Sequence, residues 1–203
     1  MREPVPHRVS IVVLVALALA TIGLPARVAA GQEVAWAAYA ADAAATKYSP
    51  LDQINRDTIA DVEIVWRQPV IPDVTRRGNM TRGPLLSQNT PLMVGGLLYV
   101  STGLGSVAAL DATTGEVVWN DGPILEPGAD APLRTRQTRG VAYWTDGEDT
   151  RVIATRGPML VALNATTGAR YPDFGEVGEV DLRLGLMREF PDYFWNSAPL
   201  VIN

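Results

Sequence analysis

Few side chains in this 203-residue chain are of a type that can do chemistry unaided. There is no cysteine, so thiolate nucleophiles, thiolate metal sites and a disulfide framework are excluded. The single histidine, His7, lies in the extreme N-terminus, which removes histidine bases and histidine-rich metal sites from the rest of the chain. What remains is fixed charge. Arg134, Arg136, Arg139 and Arg151 fall within a short span, and a held guanidinium can stabilise negative charge as it develops. Asp111 and Asn164 carry oxygens of the kind a metal ion takes. Both sit in tight turns, where such a side chain bonds the backbone two residues on, and the turn already accounts for them.

Those groups must be positioned by β-structure. The 18 glycines and 15 prolines punctuate short apolar runs, which suits an all-β chain rich in turns. Residues 91–94 and 97–102 flank Gly95-Gly96 as a hairpin, because a Gly-Gly pair supplies the positive φ of a tight turn. Residues 107–110 and 116–119 flank a second turn. Residues 141–144 and 151–155 flank a third, and residues 159–163 with those after Gly168 bracket a fourth. Val62 to Trp66 alternates like a strand at its start. Ala35 to Ala45 is alanine-rich and predicts a short helix, ended at Ser49-Pro50; residues 53–60 predict one or two helical turns. Residues 120–139 form a long excursion between strands, a length that is usually functional or disordered.

The turns repeat. Ala109-Leu110-Asp111-Ala112-Thr113-Thr114-Gly115 recurs as Ala162-Leu163-Asn164-Ala165-Thr166-Thr167-Gly168, 53 residues on, with Asp for Asn the one difference. Trp119 follows the first copy, and Pro172 takes the corresponding place after the second. Strand-and-turn units repeating at about 40–50 residues mark propeller blades. A tryptophan ending such a strand can dock between neighbouring blades.

The first thirty residues read as an address. Arg2, His7 and Arg8 precede an apolar run from Val9 to Leu24, then Pro25, and Val28-Ala29-Ala30 offers a cleavage site. Residues 1–30 are therefore expected to be a signal peptide and residues 31–203 the mature part, in a periplasmic or secreted protein; an uncleaved membrane anchor is the competing reading. The net charge of −5, with no basic run longer than two residues, argues against nucleic acid as a partner.

The spacing Ala-x-Asp-x-x-Thr-Gly-x-x-x-Trp at 109–119 resembles the tryptophan-docking motif of pyrroloquinoline-quinone (PQQ) dehydrogenases. Trp36-x-x-Tyr39 followed by Tyr48-Ser49-Pro50-Leu51-Asp52-Gln53-Ile54-Asn55 is similar to that family's mature N-terminus. Thr90 to Tyr99 resembles its first-blade strand pair, and Arg139-Gly140-Val141-Ala142-Tyr143-Trp144 its cofactor-proximal strand. Asp173-Phe174-Gly175-Glu176 and Gly178 to Arg183 look like the glucose-dehydrogenase-like branch. The resemblance implies the N-terminal blades of an eight-bladed, all-β propeller. It further implies PQQ near the axis with a calcium ion, an alcohol, polyol or sugar as substrate, and a cytochrome or membrane quinone as electron acceptor.

Carried over residue by residue, Arg139 matches an arginine beside the reactive carbonyls of the quinone, against the plainer reading of a solvated loop arginine. Gln88 stands where many relatives have a glutamate that contacts the cofactor's acid groups. Asn196 and Ser197 match a cofactor-contacting Thr or Ser position. Two features depart from the pattern. The adjacent cysteines that several relatives carry before the arginine are replaced by Leu133-Arg134, and a Gly-Gly after the first tyrosine is Ala40-Ala41. Alanine resists positive φ, so that turn is expected to differ. No catalytic or metal-binding position of the family falls in this chain.

Residues 31–203 suffice for about three blades. The expectation is a portion of a larger dehydrogenase, inactive until the missing propeller blades close the ring. The alternative is a non-catalytic propeller, either a scaffold for outer-membrane assembly or a binding protein of the cell envelope.

Overall fold

A computed structural model describes residues 34–69, 88–102, 105–122, 139–190, 193, 195 and 197–202. The signal-peptide expectation, Asn196 and most of the 120–139 excursion lie outside these. Eight strands form: β1 Leu92–Val94, β2 Leu97–Ser101, β3 Val107–Asp111, β4 Val117–Asn120, β5 Ala142–Thr145, β6 Thr150–Arg156, β7 Met159–Asn164 and β8 Glu179–Asp181. Among the described residues these eight make two four-stranded antiparallel sheets, ordered β1-β2-β3-β4 and β5-β6-β7-β8. Sequence neighbours are spatial neighbours throughout, the up-and-down order of a propeller blade. The described residues thus hold two complete blades.

Alternation along each strand decides the faces. In the first sheet Leu92, Tyr99, Ala109 and Trp119 stand opposite one another across the four strands. In the second, Tyr143, Val152 and Leu163 do the same. These two rows meet in one core with Val107, Val141, Ala154, Val161 and Ala165, so the sheets are packed face to face. Tyr99 rings lie 6.2 Å from Trp119 and 6.0 Å from Tyr143, tilted in both cases. The opposite face of the first sheet carries Leu98, Val100, Ala108 and Leu110, and with Trp66 walls a groove of about 290 Å³.

The repeated turn is the hinge of this packing. Asp111 Oδ1 accepts from the Thr113 and Thr114 amides at 2.8 and 2.7 Å, and Asn164 Oδ1 accepts from Thr166 and Thr167 at 3.0 Å each. Those bonds hold the Asp111 carboxyl below the usual carboxylate range, the Thr114 amide contributing most. Both residues are turn formers, as expected. Gly115 and Gly168 take φ of +75° and +73°. Trp119 then lies across the second turn: its Nε1 donates to Ala165 O at 2.9 Å, and a Cβ on Gly168 would sit 2.6 Å from the indole Cε3. Trp66 does the same to the first turn, with Nε1 to Ala112 O at 3.1 Å and Gly115 against its ring.

Several local expectations are corrected. Residues 35–45 form no helix. Trp36 instead exchanges two backbone hydrogen bonds with Met93, at 2.7 and 3.0 Å, and Ala41 and Ala45 adopt φ of +77° and +56°. The alanine pair at 40–41 therefore keeps a left-handed turn rather than losing it, and a long-range bridge to β1 overrides helix propensity. Val62 to Trp66 joins no ladder, because no described strand lies beside it; Val62, Ile64 and Val65 are exposed. Of the helical turns expected at 53–60, one 3-10 turn forms at Ile59–Asp61. Finally, β7 pairs with β8, after an excursion through residues 171–178, while Arg170 makes only an isolated bridge to Leu163. Tyr171 anchors that excursion. Its hydroxyl bonds the Asp149 carboxylate, it accepts from Asn164 Nδ2, and Arg151 stacks 4.1 Å over its ring.

Candidate functional site

β1 and β5 open the two sheets, and their starts come together at one end of the molecule. Thr90 and Gly140 form a parallel bridge, with the Thr90 amide donating to Arg139 O at 3.2 Å. Gly140 is needed there. At φ +141° it brings two strand starts so close that a Cβ would lie 3.1 Å from Thr90 O. The same added carbon would lie 3.7 Å from Ala198 Cβ, so the segment carrying Ser197 reaches this point as well.

The bridge places Arg139 beside Gln88. Arg139 Nε donates to Gln88 Oε1 at 3.2 Å across 51 residues, and both side chains are exposed. Of the four residues singled out in the sequence, Gln88 and Arg139 are joined directly and Ser197 lies next to Ala198 at the same bridge. Asn196 is not among the described residues. Arg151, by contrast, is drawn away to the other end of β5 and β6, where it pairs with Asp149 at 2.8 Å.

Chemically this is a cationic fork with a neutral partner. The Nε is occupied, which leaves the two Nη groups of Arg139 to donate in parallel to a carboxylate or another anionic oxygen. Gln88 adds an amide that can donate through Nε2 while its oxygen holds the guanidinium. That donor set suits a quinone that carries acid groups. Among the described residues, no group of three or more Asp, Glu, His or Cys side chains is gathered to hold a metal ion.

Three further features are not among the residues singled out in the sequence. Asn89 Oδ1 accepts from Ser101 Oγ at 3.1 Å and from the Ser101 amide at 3.4 Å. Asp121, its carboxyl buried, pairs with Arg156 Nη2 at 2.5 Å and accepts from the Val107 amide at 2.8 Å, while Arg156 Nε donates to Gly105 O at 3.1 Å. Trp66 precedes Trp119 by the same interval that separates the two turns, a signal that was present in the sequence.

Up-and-down four-stranded sheets, packed face to face with a tryptophan of one docked on the turn of the next, are blades of a β-propeller. The chain belongs to the PQQ glucose/ethanol/alcohol dehydrogenase family, whose β-propeller model matches residues 36–203. It is 32% identical over 197 residues to quinate/shikimate dehydrogenase (quinone) of Acinetobacter baylyi, covering 85% of this chain and 23% of that protein. It is 27% identical over 191 residues to quinoprotein glucose dehydrogenase A of Acinetobacter calcoaceticus, covering 82% of this chain and 23% of that one. Among solved structures, quinohemoprotein alcohol dehydrogenase from Comamonas testosteroni aligns with a TM-score of 0.51 at 28% identity, over 75% of this chain and 20% of its own. The chain thus spans about a quarter of the length of these relatives. Among the described residues no helix is long and apolar enough to cross a membrane.

Proposed function

We propose that this chain supplies one side of a quinone site in a periplasmic or secreted PQQ-dependent dehydrogenase, with Arg139, Gln88, Asn196 and Ser197 facing the cofactor. The observation that carries the reading is the Arg139–Gln88 hydrogen bond, made at the point where the first strands of two blades converge. When bound, PQQ supplies the two-electron oxidation of an alcohol, polyol or sugar hydroxyl carbon, with electrons leaving to a cytochrome or membrane quinone. Arg139 holds a positive charge where negative charge gathers, and Gln88 orients it without neutralising it. Ser197 offers a hydroxyl to the same point. Calcium, in this reading, is held by residues beyond those described. The two described blades leave an open face on the first sheet, and in this reading activity requires further blades to complete the ring.

The test is an equilibrium titration of the native apoprotein with PQQ, purified with whatever chains accompany it. We expect saturable binding, weakened at least tenfold by Arg139→Gln. A protein that binds no PQQ, or an Arg139→Gln variant that binds as the unaltered protein does, overturns the reading and favours a non-catalytic envelope scaffold.

A further inference from the structure

Among the described residues the side chain that grips Arg139 is Gln88, and it stands on a strand start that is itself tied down. Gln88 is followed by Asn89 and Thr90. Thr90 is fixed by its bridge to Gly140 and its amide bond to Arg139 O. Asn89 is fixed by the next strand over: its Oδ1 takes both the Oγ and the amide hydrogen of Ser101, the last residue of β2. Ser101 is buried, so these bonds are shielded from water and hold their geometry better than an exposed pair would. The same Oδ1 lies 3.6 Å from the position a Cβ on Gly140 would take, so Asn89 also borders the strand start that carries Arg139.

Resting on the quinone-site reading above, we infer that Asn89 is a positioning residue. It latches the 88–90 segment to β2, and thereby sets the place of Gln88 Oε1 and the direction in which the Arg139 fork points. Asn89 acts through Arg139 and touches no ligand. An aliphatic residue of similar size would leave Ser101 Oγ and its amide without this acceptor, and would free the segment to shift. Removing the outer partners of metal-holding side chains typically costs about 10–100-fold in affinity, and the lower end of that range is the loss expected here.

The experiment uses PQQ as the probe and the native apoprotein, with substitutions made at the native locus. Asn89→Val, which removes both bonds of the latch, is expected to weaken PQQ binding about tenfold, and Ser101→Ala, which removes the Oγ bond and keeps the amide one, to weaken it by a smaller factor. Ser101→Ala also serves if Asn89→Val does not fold. The decisive arm is the double variant Asn89→Val with Arg139→Gln: once the fork is gone, losing the latch should cost much less than it does with Arg139 in place, what remains acting through Gln88. A merely structural residue would lower affinity by the same factor in both backgrounds, and that additivity overturns the inference. So does native-like PQQ binding by both single variants while Arg139→Gln binds weakly. If Arg139→Gln itself binds normally, or the unaltered protein binds no PQQ, the quinone-site reading falls and takes this inference with it.

Discussion

Trp119 is bonded to Ala165, the residue 46 positions ahead of it in the chain, and its indole lies flat against Gly168. The contact has no room for a side chain on the glycine. Gly168→Ala would force both a left-handed alanine and a displaced indole, and is expected to cost about 2–4 kcal/mol. Trp119→Phe keeps most of the apolar area but leaves Ala165 O without its donor, for about 1–3 kcal/mol. Chemical denaturation read by tryptophan fluorescence would show both. A Gly168→Ala variant as stable as the parent would mean the ring does not dock there.

Ala41 holds a φ of +77°, a conformation that costs an L-residue with a Cβ about 1–2 kcal/mol. Ala41→Gly removes that cost but adds freedom to the unfolded chain, so a net gain of roughly 0.5–1 kcal/mol is expected. Thermal unfolding should shift upward by a few degrees. A fall in melting temperature would show the turn is not left-handed.

Tyr99 is buried between the sheets, and burial pushes its hydroxyl up from 10.0 to about 12, with Tyr143 adding to the shift. The folded pKa is raised, so the neutral phenol contributes stability that is fully present below pH 10 and is lost as pH rises towards about 12. Tyr99→Phe should therefore flatten the loss of stability across that alkaline window while leaving the neutral-pH slope unchanged. Urea midpoints measured from pH 8 upward would decide it. An unaltered alkaline slope in the variant would place the titration elsewhere.

Arg156 reaches from the end of β6 across to Asp121 and Gly105 of the first blade, pinning the two sheets on the side of the strand starts. Its partner carboxyl is 4% exposed, so removing the arginine strands a buried charge. Arg156→Met is expected to cost about 3 kcal/mol, and adding Asp121→Leu to recover part of it. The Val107 amide, which also bonds Asp121, would limit that recovery. If the double variant were no better than the single, the carboxylate would matter chiefly to Val107.

What could be read from the sequence follows from which constraints are local. The Asp111 and Asn164 turns were legible because a short polar side chain and a glycine four residues on define a turn by themselves. The hairpin at Gly95-Gly96 was legible for the same reason. Residues 35–45 were misread because a bridge to Met93, 57 positions away from Trp36, outweighs a run of alanines. The alternation at 62–66 pointed to a strand, yet a ladder needs a neighbour as well as a pattern. The Arg139–Gln88 contact follows from a parallel bridge between two sheets, which no periodicity encodes. The family resemblance alone associates those two residues with one site, and it does not extend to Asn89, whose partner Ser101 is fixed by the register of β2.

The tryptophan contacts have a direction. Each indole looks forward along the chain, Trp66 to Ala112 and Trp119 to Ala165. A polypeptide emerging N-terminus first, from a ribosome or a translocon, cannot seat Trp119 until the turn ending at Gly168 is also out. β4, the last strand of the first blade, must therefore wait, its ring uncovered, for roughly one further blade of synthesis or export. The rate at which chain is delivered, and whatever shields a bare indole meanwhile, would then bear on how much of this protein reaches its folded form.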